Sequence, residues 1–514
     1  MFSRRTFLGA IGSVIASEYS RSVTVLAQAS NTFSADPFQL GVASGDPAWD
    51  GFVLWTRLAP DPLRGDEGLA NPIHVRWEVA TDESMHHVVK RGQIAAVSEL
   101  GHSVHVEVSG LKPGRKYFYR FHAGGATSPI GRTKTAPALR SQQDSTKFAF
   151  ISCQHYENGY YNVHREIAQD DLDVVLFLGD YMYEHHTKNS VRRHRLDSPS
   201  TLDEYRRHHA QYKEDVDLQA CHAAHPWLVT FDDHEVEDNW ASTNPGHASP
   251  KGEDFLARRV AAFQAYYENM PLRIASLPKD NSIKIYRSLP YGQLARFTVV
   301  DTRQFRSKQP CDDGRKACAA RMDAGKTMMG FEQERWFANV MRSTTAKWNT
   351  VANQVMIAQL KEMPTNGGSE PVYNMDQWDG YTAARQRLFA ALAAGKPSNP
   401  VFVTGDVHQT WVGNLKPDFD VPSSPVVATE LVGTSVTSGG NGQVHGQHIA
   451  EILRLNPHVV YNDARRGYFR CELTSSEMRS EERVVSSVTE KGTKAITAAT
   501  FLTKDGLPGV TQVN

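Results

Sequence analysis

Short apolar runs alternate with polar stretches of helical length through the middle of the chain. Residues 147–152 and 174–178 are β-branched and aromatic runs typical of buried strands, and the polar segment 162–170 between them has the length of a helix. Similar apolar runs recur downstream at residues 227–231, 296–300, 351–359 and 400–404. This alternation predicts an α/β fold with a layered core over residues 146–475.

A different pattern precedes this region. Short segments that alternate apolar and polar residues are separated by Gly and Pro turns at the spacing of an antiparallel sandwich; they are residues 52–58, 73–80, 92–97, 103–108, 116–122 and 130–135. The segment SGLKPGRKYFYRF at 109–121 is similar to the turn and tyrosine corner of fibronectin-type sandwiches. We therefore expect a separate fibronectin-like all-β domain at residues 38–138, with a structural or positioning role. Residues 476–514, charged and weakly patterned, are interpreted as a C-terminal tail.

The first residues have the layout of a secretory signal. Residues 3–8 read SRRTFL and lead into a modestly apolar run, and AQA at 27–29 offers small residues for cleavage. The arginine pair resembles that of a twin-arginine signal, although an ordinary basic leader is an alternative. We expect residues 1–29 to be removed after export by the twin-arginine machinery, which gives a periplasmic or secreted protein. No other segment approaches the roughly 18 consecutive apolar residues of a membrane span.

Net charge and cysteine content restrict the classes of function that the chain could have. The chain has 514 residues and a net charge of −1, so it has no basic footprint for nucleic acid. Five cysteines are an odd number for an exported protein. Cys311 and Cys318 are close enough in sequence to close a small disulfide loop, and Cys221 with Cys471 is a weaker candidate pair. Cys153 is then left unpaired, as a metal ligand would be.

Four candidate strands end in residues that bind metals. The run at 147–152 leads into Cys153, and the run at 174–178 leads to Asp180, with Tyr183 three residues later. Two further strand ends carry DDHEVEDNW at 232–240 and DVH at 406–408. In open α/β sheets such residues collect beyond the carboxyl ends of the strands. Each of these residues could instead have a structural role, as a buried thiol, a turn cap or part of the core. The repetition of such residues at four strand ends favours a metal site.

The candidate ligands divide into two sets. The mixed sulfur, oxygen and nitrogen set suits a strongly Lewis-acidic ion such as Fe³⁺, because it includes a phenolate; its members are Cys153, Asp180, Tyr183 and His408. The all-oxygen set suits Ca²⁺, Mg²⁺ or Mn²⁺; its members are Asp180, Asp232, Asn239 and Asp406. Two ions ~3.5–4 Å apart would activate a water and hold a phosphoryl group during in-line displacement.

These motifs, in this order, resemble the alkaline phosphatase D (PhoD) family within the purple-acid-phosphatase-like metallophosphoesterases. The matching stretches span almost the whole chain after the leader: FQLGVASGDP, VLWTRLAP, ISCQHY, LGDYMYE, FDDHEVEDNW, VVDTRQFR, QWDGY and TGDVHQTW. The resemblance implies a metallophosphatase-type sandwich of two β-sheets flanked by helices, and an Fe³⁺ site accompanied by Ca²⁺ with the two ligand sets above. Related phosphoesterases have Gly-Asn-His-Glu where this chain has DDHE, so either Asp232 or Asp233 could face the second ion; we favour Asp232 with Asn239.

Several other residues have two readings. His234 could protonate the leaving oxygen or could orient a ligand, and Asp180 is expected to be catalytic as the bridging ligand. Arg303 could grip phosphate, but a buried pair with Asp301 is favoured. The Gly/Ser-rich segment 433–447 is interpreted as a surface loop. The histidines that lie in charged helical or loop sequence are expected to be solvated; they are His185, His186, His194, His208, His209, His222 and His225.

The sequence thus predicts an exported metal-dependent hydrolase, first of phosphodiesters and secondly of monoesters, with an alkaline optimum and direct attack of a metal-bound hydroxide on phosphorus. A phospholipase D-type activity on lipid headgroups is the nearest alternative. An exported metal-dependent oxidoreductase is a second class, although the chain lacks the His-x-His runs of copper oxidases and a C-x-x-C-H haem motif. A non-catalytic surface-binding protein is favoured only by the N-terminal sandwich.

Overall fold

The computed structural model describes residues 33–65, 69–246, 254–365, 367–445 and 448–514. The expected export signal at residues 1–29 lies outside the described residues. The α-helices are α1 (Asn162–Gln169), α2 (Leu202–Lys213), α3 (Val216–Ala224), α4 (Phe255–Asn269), α5 (Phe331–Ser343), α6 (Thr382–Gly395) and α7 (Ile449–Leu455).

The strands fall into an N-terminal and a later group. The first group is β1 (Val42–Ala48), β2 (Gly51–Arg57), β3 (Ile73–Ala80), β4 (Val88–Ala96), β5 (Ser103–Val108), β6 (Lys116–Ala123), β7 (Ala126–Thr127) and β8 (Gly131–Lys134). The second group is β9 (Ser145–Ile151), β10 (Val174–Phe177), β11 (Pro226–Val229), β12 (Arg287–Tyr291), β13 (Ala295–Val299), β14 (Arg315–Lys316), β15 (Trp348–Asn353), β16 (Tyr373–Asn374), β17 (Pro400–Thr404), β18 (Thr410–Leu415), β19 (Ala428–Val432), β20 (Val459–Asp463), β21 (Arg466–Thr474), β22 (Glu477–Val485), β23 (Ala495–Lys504) and β24 (Leu507–Gln512).

Two large mixed sheets dominate the molecule. A ten-stranded sheet has the order β24-β23-β22-β21-β9-β10-β11-β1-β2-β5, and a seven-stranded sheet has the order β12-β13-β15-β17-β19-β18-β20. The neighbouring strands β9, β10 and β11 are parallel in the first sheet, as are β13, β15, β17 and β19 in the second. In each sheet, therefore, the carboxyl ends of the central strands lie at one edge.

The side chains of the central strands show why the sheets stack. In β9, Phe148 and Phe150 pack between the two sheets, whereas Ala149 and Ile151 face a second apolar cluster under the helices α1 to α4. This alternation, with both faces buried, is typical of a strand covered on both sides. A third cluster packs α5 and α6 against the outer face of the seven-stranded sheet. The predicted α/β class is confirmed, with helices on the outer faces of two stacked sheets.

The N-terminal region does not pack as an isolated module. Strands β3, β4, β6, β7 and β8 form a separate five-stranded antiparallel sheet. Strands β1, β2 and β5 cover it through an apolar cluster but belong to the ten-stranded sheet, because Ser44 and Gly45 of β1 pair in parallel with β11. The phenol of Tyr117 accepts a hydrogen bond from the Lys112 backbone N–H (3.0 Å), which fixes the predicted turn.

The C-terminal segment is not a tail. The strands β22, β23 and β24 continue the ten-stranded sheet beyond β21, each antiparallel to its neighbour. Strand β22 alternates buried and less buried side chains, so the segment 476–514 belongs structurally to the two stacked sheets. Among the described residues, no helix is both long enough and apolar enough to cross a membrane.

Candidate metal centre

The predicted ligands follow the strands at one edge of the two sheets. Cys153 lies two residues beyond β9, Asp180 three beyond β10, and Asp406 and His408 just beyond β17. All four have left-handed backbone conformations, with φ values of 60°, 59°, 65° and 59°. Non-glycine residues adopt this conformation uncommonly and at a cost, and such residues cluster at functional sites.

One group of donors comes from three different strand ends. Ligand atoms of Cys153, Asp180 and His408 lie within 4.8 Å of one another. The Tyr183 hydroxyl joins them, 2.8 Å from Asp180 Oδ2 and 3.1 Å from His408 Nε2. The structure therefore brings together the whole mixed set that the sequence predicted. Ser438 Oγ, which the sequence did not single out, lies 2.7 Å from the Tyr183 hydroxyl.

A second group consists of carboxylates. Oxygen atoms of Asp232, Asp233 and Asp406 lie within 4.8 Å of one another, and Asp233 also belongs to a group with Asp180 and His234. Asn239, with a left-handed φ of 55°, donates its backbone N–H to Asp233 Oδ2 (2.8 Å). Its side-chain amide donates instead to Asp313 Oδ2 (2.9 Å). Asp233 thus lies between both groups, whereas the amide of Asn239 is turned towards the disulfide loop.

Two local features hold the strand ends close together. Gly179 has φ +113°, and a Cβ at this position would lie 2.5 Å from Asp232 Cβ, so only glycine lets the two ligand loops approach. The Glu235 carboxylate accepts hydrogen bonds from the backbone N–H groups of Asp180 (3.1 Å), Tyr181 (2.6 Å) and Asp232 (2.9 Å). Glu235 therefore links the loop after β10 to the loop after β11.

The electrostatics of this cluster require positive charge. Burial, reinforced by neighbouring carboxylates, raises the pKa of Asp180 well above its ordinary value, although His234 opposes the shift. Burial and Asp233 raise the pKa of Asp406 to about 7. Burial followed by the charge of Asp180 raises the pKa values of the Cys153 thiol and the Tyr183 phenol. Bound cations would reverse these shifts, because thiolate, phenolate and carboxylate all bind as anions.

Unpartnered atoms support the same conclusion. Within the described residues, the buried atoms Asp232 Oδ2 and Asp233 Oδ1 accept no hydrogen bond, although Asp233 Oδ1 has an ion pair with Arg303 at 3.4 Å. Buried carboxylate oxygens are costly without a partner, so these atoms fit the coordination of a hard cation. The mixed set offers thiol, phenol, imidazole and carboxylate donors, which fit a transition ion. The residues present are therefore suited to the ions that the sequence predicted.

His234 is oriented by a residue that the sequence analysis did not identify. Its Nδ1 lies 2.8 Å from Glu184 Oε2, and its ring stacks on Tyr183 with the centroids 4.1 Å apart. Burial opposes protonation of His234, but Glu184, Asp233 and Asp180 together raise its pKa well above the ordinary value. Glu184 engages Nδ1, whereas Nε2 lies 3.8 Å from Asp238 Oδ1, beyond hydrogen-bond distance, and is the ring nitrogen that can meet a substrate oxygen. Glu184 follows Tyr183 in the motif LGDYMYE, but only the fold shows that it pairs with His234.

Arg303 is buried as predicted, but its guanidinium does not pair with Asp301. The Asp301 carboxylate accepts the backbone N–H of Arg303 (3.0 Å), and its other hydrogen bonds come from Gln304. The guanidinium instead donates to Asp232 Oδ1 from Nε (2.5 Å) and to Asp376 Oδ1 from Nη1 (2.9 Å). It also lies 3.4 Å from Asp233 Oδ1. Arg303 is thus a fixed cation beside the second carboxylate group. Its ion pairs with Asp232 and Asp376 join segments about seventy residues apart in the chain.

Several predictions about the surroundings are wrong. Five of the histidines expected to be solvated are buried, namely His194, His208, His209, His222 and His225. The first four pack against other aromatic rings, and His225 Nε2 lies 2.9 Å from the Ile167 carbonyl oxygen. Burial lowers the pKa of His208 and that of His225 to about 4, so these histidines pack as neutral rings. Cys221 and Cys471 are free buried thiols, whereas the predicted Cys311–Cys318 disulfide is present.

The segment 433–447 is also not a plain surface loop. Its first half is buried against the centre, and the Thr437 hydroxyl donates to the His155 carbonyl (2.8 Å). The Arg466 guanidinium donates to the carbonyls of His408 (2.5 Å) and Gly440 (2.6 Å), which ties this loop to the strand end after β17. The later residues 439–445 are more exposed. The loop therefore forms one wall of the centre.

Comparisons with known proteins agree with this arrangement. Residues 148–481 match the family described as PhoD-like phosphatase, and residues 24–137 match the family described as PhoD-like phosphatase, N-terminal domain. The chain is 43% identical over 525 residues to alkaline phosphatase D of Bacillus subtilis (strain 168), which covers 100% of this chain and 89% of that protein. It is also similar to a solved structure titled Structure of PhoD, with a TM-score of 0.91 and 44% identity over 94% of this chain and 93% of that one.

Proposed function

The chain belongs to the PhoD-like phosphatase family and is a phosphoric ester hydrolase, and we propose that it hydrolyses phosphodiesters and phosphomonoesters at a two-ion centre. The observation that carries this proposal is the convergence of thiol, phenol, imidazole and carboxylate donors from separate strand ends. Such a donor set has no stabilising role without cations, because burial works against its ionised forms.

The two groups of donors would hold different ions. Cys153, Asp180, Tyr183 and His408 would hold Fe³⁺, and Asp180, Asp232, Asn239 and Asp406 would hold Ca²⁺ or another hard divalent ion. Asp233 is the alternative to Asp232, and its position in both carboxylate groups favours it. When bound, the ions would supply Lewis acidity, making a water acidic enough for direct attack on phosphorus and offsetting the charge of the phosphoryl group.

The chain's own residues would position the reactants and move one proton. Asp180 lies in one group with Cys153 and His408 and in another with Asp233 and His234, so it would link the two sets of donors. His234, held at Nδ1 by Glu184, would give a proton from Nε2 to the leaving oxygen. Arg303 is fully buried and engaged by two carboxylates, so it would shape the second group and not reach the substrate. Because the thiol, phenol and carboxylate ligands bind as anions, activity would extend to alkaline pH.

Export and the role of the N-terminal region complete the proposal. The SRRTFL sequence at residues 3–8 supports export by the twin-arginine machinery, and thus a periplasmic or secreted location. We assign residues 38–138 to a fibronectin-like positioning domain and residues 146–475, together with the strands β22 to β24, to the catalytic domain. Replacing both Arg4 and Arg5 with lysine should abolish export while leaving the activity of the cytoplasmic protein unchanged.

Hydrolysis and metal content together test the central claim. Full-length protein loaded with iron and calcium should release nitrophenol from p-nitrophenyl phosphate and from bis(p-nitrophenyl) phosphate, and a strong chelator should abolish both reactions. Asp180→Asn should lower kcat about a thousandfold and release metal, whereas Asp171→Asn, which removes an exposed carboxylate, should change neither. Phosphatidylcholine vesicles are used as a substrate to test the alternative activity on lipid headgroups. Full activity of Asp180→Asn, or activity unaffected by the chelator, would contradict the proposal.

A further inference from the structure

A small cavity opens beside the second carboxylate group. Its volume is about 180 Å³, and Asp406 and Val407 line it where they leave strand β17. Among the described residues that line it, none belongs to the His234 group, so the cavity lies on the Asp406 side of the centre. An ester whose leaving oxygen meets His234 would therefore direct its other substituent towards this cavity.

The floor of the cavity is apolar and is held in a fixed position. Met356 and Ala358 are buried, and Leu360 completes the floor with partial burial. The Gln377 side chain bridges the floor to the metal centre, since its Oε1 accepts the Met356 backbone N–H (2.5 Å) and its Nε2 donates to Asp406 Oδ2. The cavity is thus built into the same framework that positions a predicted ligand.

The charged groups of the cavity are already paired. At the mouth, Glu362 lies 3.3 Å from Arg315, and deeper inside Asp379 is 2.7 Å from Arg385. Among the described residues that line the cavity, the only other carboxylate is Asp406, which belongs to the centre itself. The Arg315–Glu362 pair is partly exposed at the mouth, whereas the charge of Asp379 inside is matched by buried Arg385, so the apolar floor favours an uncharged group. The volume is below the range of about 300–1,000 Å³ that is typical of drug-sized ligands, so it suits one compact substituent.

From these features we infer that the cavity is a subsite for the non-leaving organic group of a phosphodiester, an uncharged and compact alcohol moiety with an apolar face. This inference rests on the proposed function and specifies its substrate class: a diester fills the subsite, whereas a monoester leaves it empty. The disulfide-closed segment Cys311–Cys318 carries Arg315, which pairs with Asn374 across β14 and β16 and so forms the outer wall.

Esters that share one leaving group test the subsite directly. The substrates are p-nitrophenyl phosphate, methyl p-nitrophenyl phosphate and phenyl p-nitrophenyl phosphate, assayed on the metal-loaded full chain. Ala358→Phe should fill the cavity and lower kcat/KM for the phenyl diester about tenfold through KM, with the monoester changed less than twofold. Leu360→Ala should widen the cavity and leave the monoester unchanged while weakening the preference for phenyl over methyl. Ala393→Phe, on the exposed surface of α6, is the matched control.

Each outcome decides the question. An equal loss of kcat/KM on all three esters in Ala358→Phe would mean that the cavity holds the leaving group or that the substitution disturbs the ions. No loss on any ester would mean that the cavity is unused. Either result overturns the inference. If the wild-type chain cleaves none of the esters, the proposed function fails, and calorimetry then tests the cavity separately. Phenylphosphonate should bind about tenfold more tightly than methylphosphonate to the wild-type protein and equally to Ala358→Phe, and equal binding to the wild-type protein would refute the subsite.

Discussion

Glu235 is predicted to control both the stability of the fold and the retention of metal. Its carboxylate accepts three buried backbone N–H groups, from Asp180, Tyr181 and Asp232. Two of those residues are predicted ligands on different strand ends, so the loss of Glu235 would allow the two loops to separate. No other described residue accepts N–H groups from both loops through one carboxylate.

The magnitude follows from the number of donors. A buried donor left without a partner costs about 1–3 kcal/mol, so Glu235→Ala, which strands three donors, should lower the free energy of unfolding by roughly 3–9 kcal/mol before water enters. Glu235→Gln keeps the shape, but its NH₂ group must face at least one backbone N–H whichever way the amide is turned. This variant should therefore lose about 1–3 kcal/mol.

Denaturant unfolding and elemental analysis measure the two effects. Glu235→Gln should unfold at lower denaturant concentration and, after dialysis against a weak chelator, should retain less iron and calcium per chain than the wild-type protein. Glu472→Gln is the control, because Glu472 on β21 is partly exposed and pairs only at 3.9 Å with Lys147; the free energy of unfolding of this variant should change by less than about 0.5 kcal/mol. Unchanged stability and full metal content in Glu235→Gln would refute the linking role.

Three further perturbations test separate parts of the structure. Gly179→Ala should place a Cβ 2.5 Å from Asp232 Cβ, and the resulting displacement should lower kcat about a hundredfold; activity near that of the wild-type protein would contradict the close approach. Asp233→Asn should release more calcium than Asp232→Asn if Asp233 faces the second ion, and elemental analysis with the reverse order would restore the assignment favoured from sequence. Burial raises the pKa of Glu430 from 4.5 to about 7, so this carboxyl binds its proton more tightly in the folded protein than in the unfolded chain. Its contribution to the free energy of unfolding therefore falls by roughly 3 kcal/mol as pH rises from about 4.5 to about 7. Glu430→Gln should remove that part of the pH dependence of unfolding, and parallel stability curves for the two proteins would contradict it.

The sequence predicted the parts of the site that are local to a strand end. A thiol, a carboxylate or an imidazole just after a buried strand is visible in one stretch of sequence, and the α/β pattern shows that such ends share an edge. Cys153, Asp180 and His408 therefore converge as expected. The left-handed backbone at these positions was not predictable, because it depends on the loops that pack around them.

The parts that could not be predicted depend on distant partners. Arg303 pairs with Asp232 and Asp376, which only the stacking of the two sheets brings within reach. His209 and His222 sit in charged helical sequence that looks exposed, yet their helices cover the ten-stranded sheet. The segment 477–512 alternates weakly, and the exposed Ile496 and Leu507 obscure the alternation, so its strands were interpreted as a tail.

The position of β9 in the ten-stranded sheet has a consequence for biosynthesis. This strand, which leads to Cys153, pairs on one side with β10 and on the other with β21, about 320 residues later in the chain. While the ribosome is still making the intervening segment, one side of β9 has no native neighbour, and unpaired strand sides are prone to association with other chains. Shortening the chain from its C-terminus would first remove the edge strands β24, β23 and β22, and a truncation that also removed β21 would leave one side of the strand that leads to Cys153 permanently unpaired.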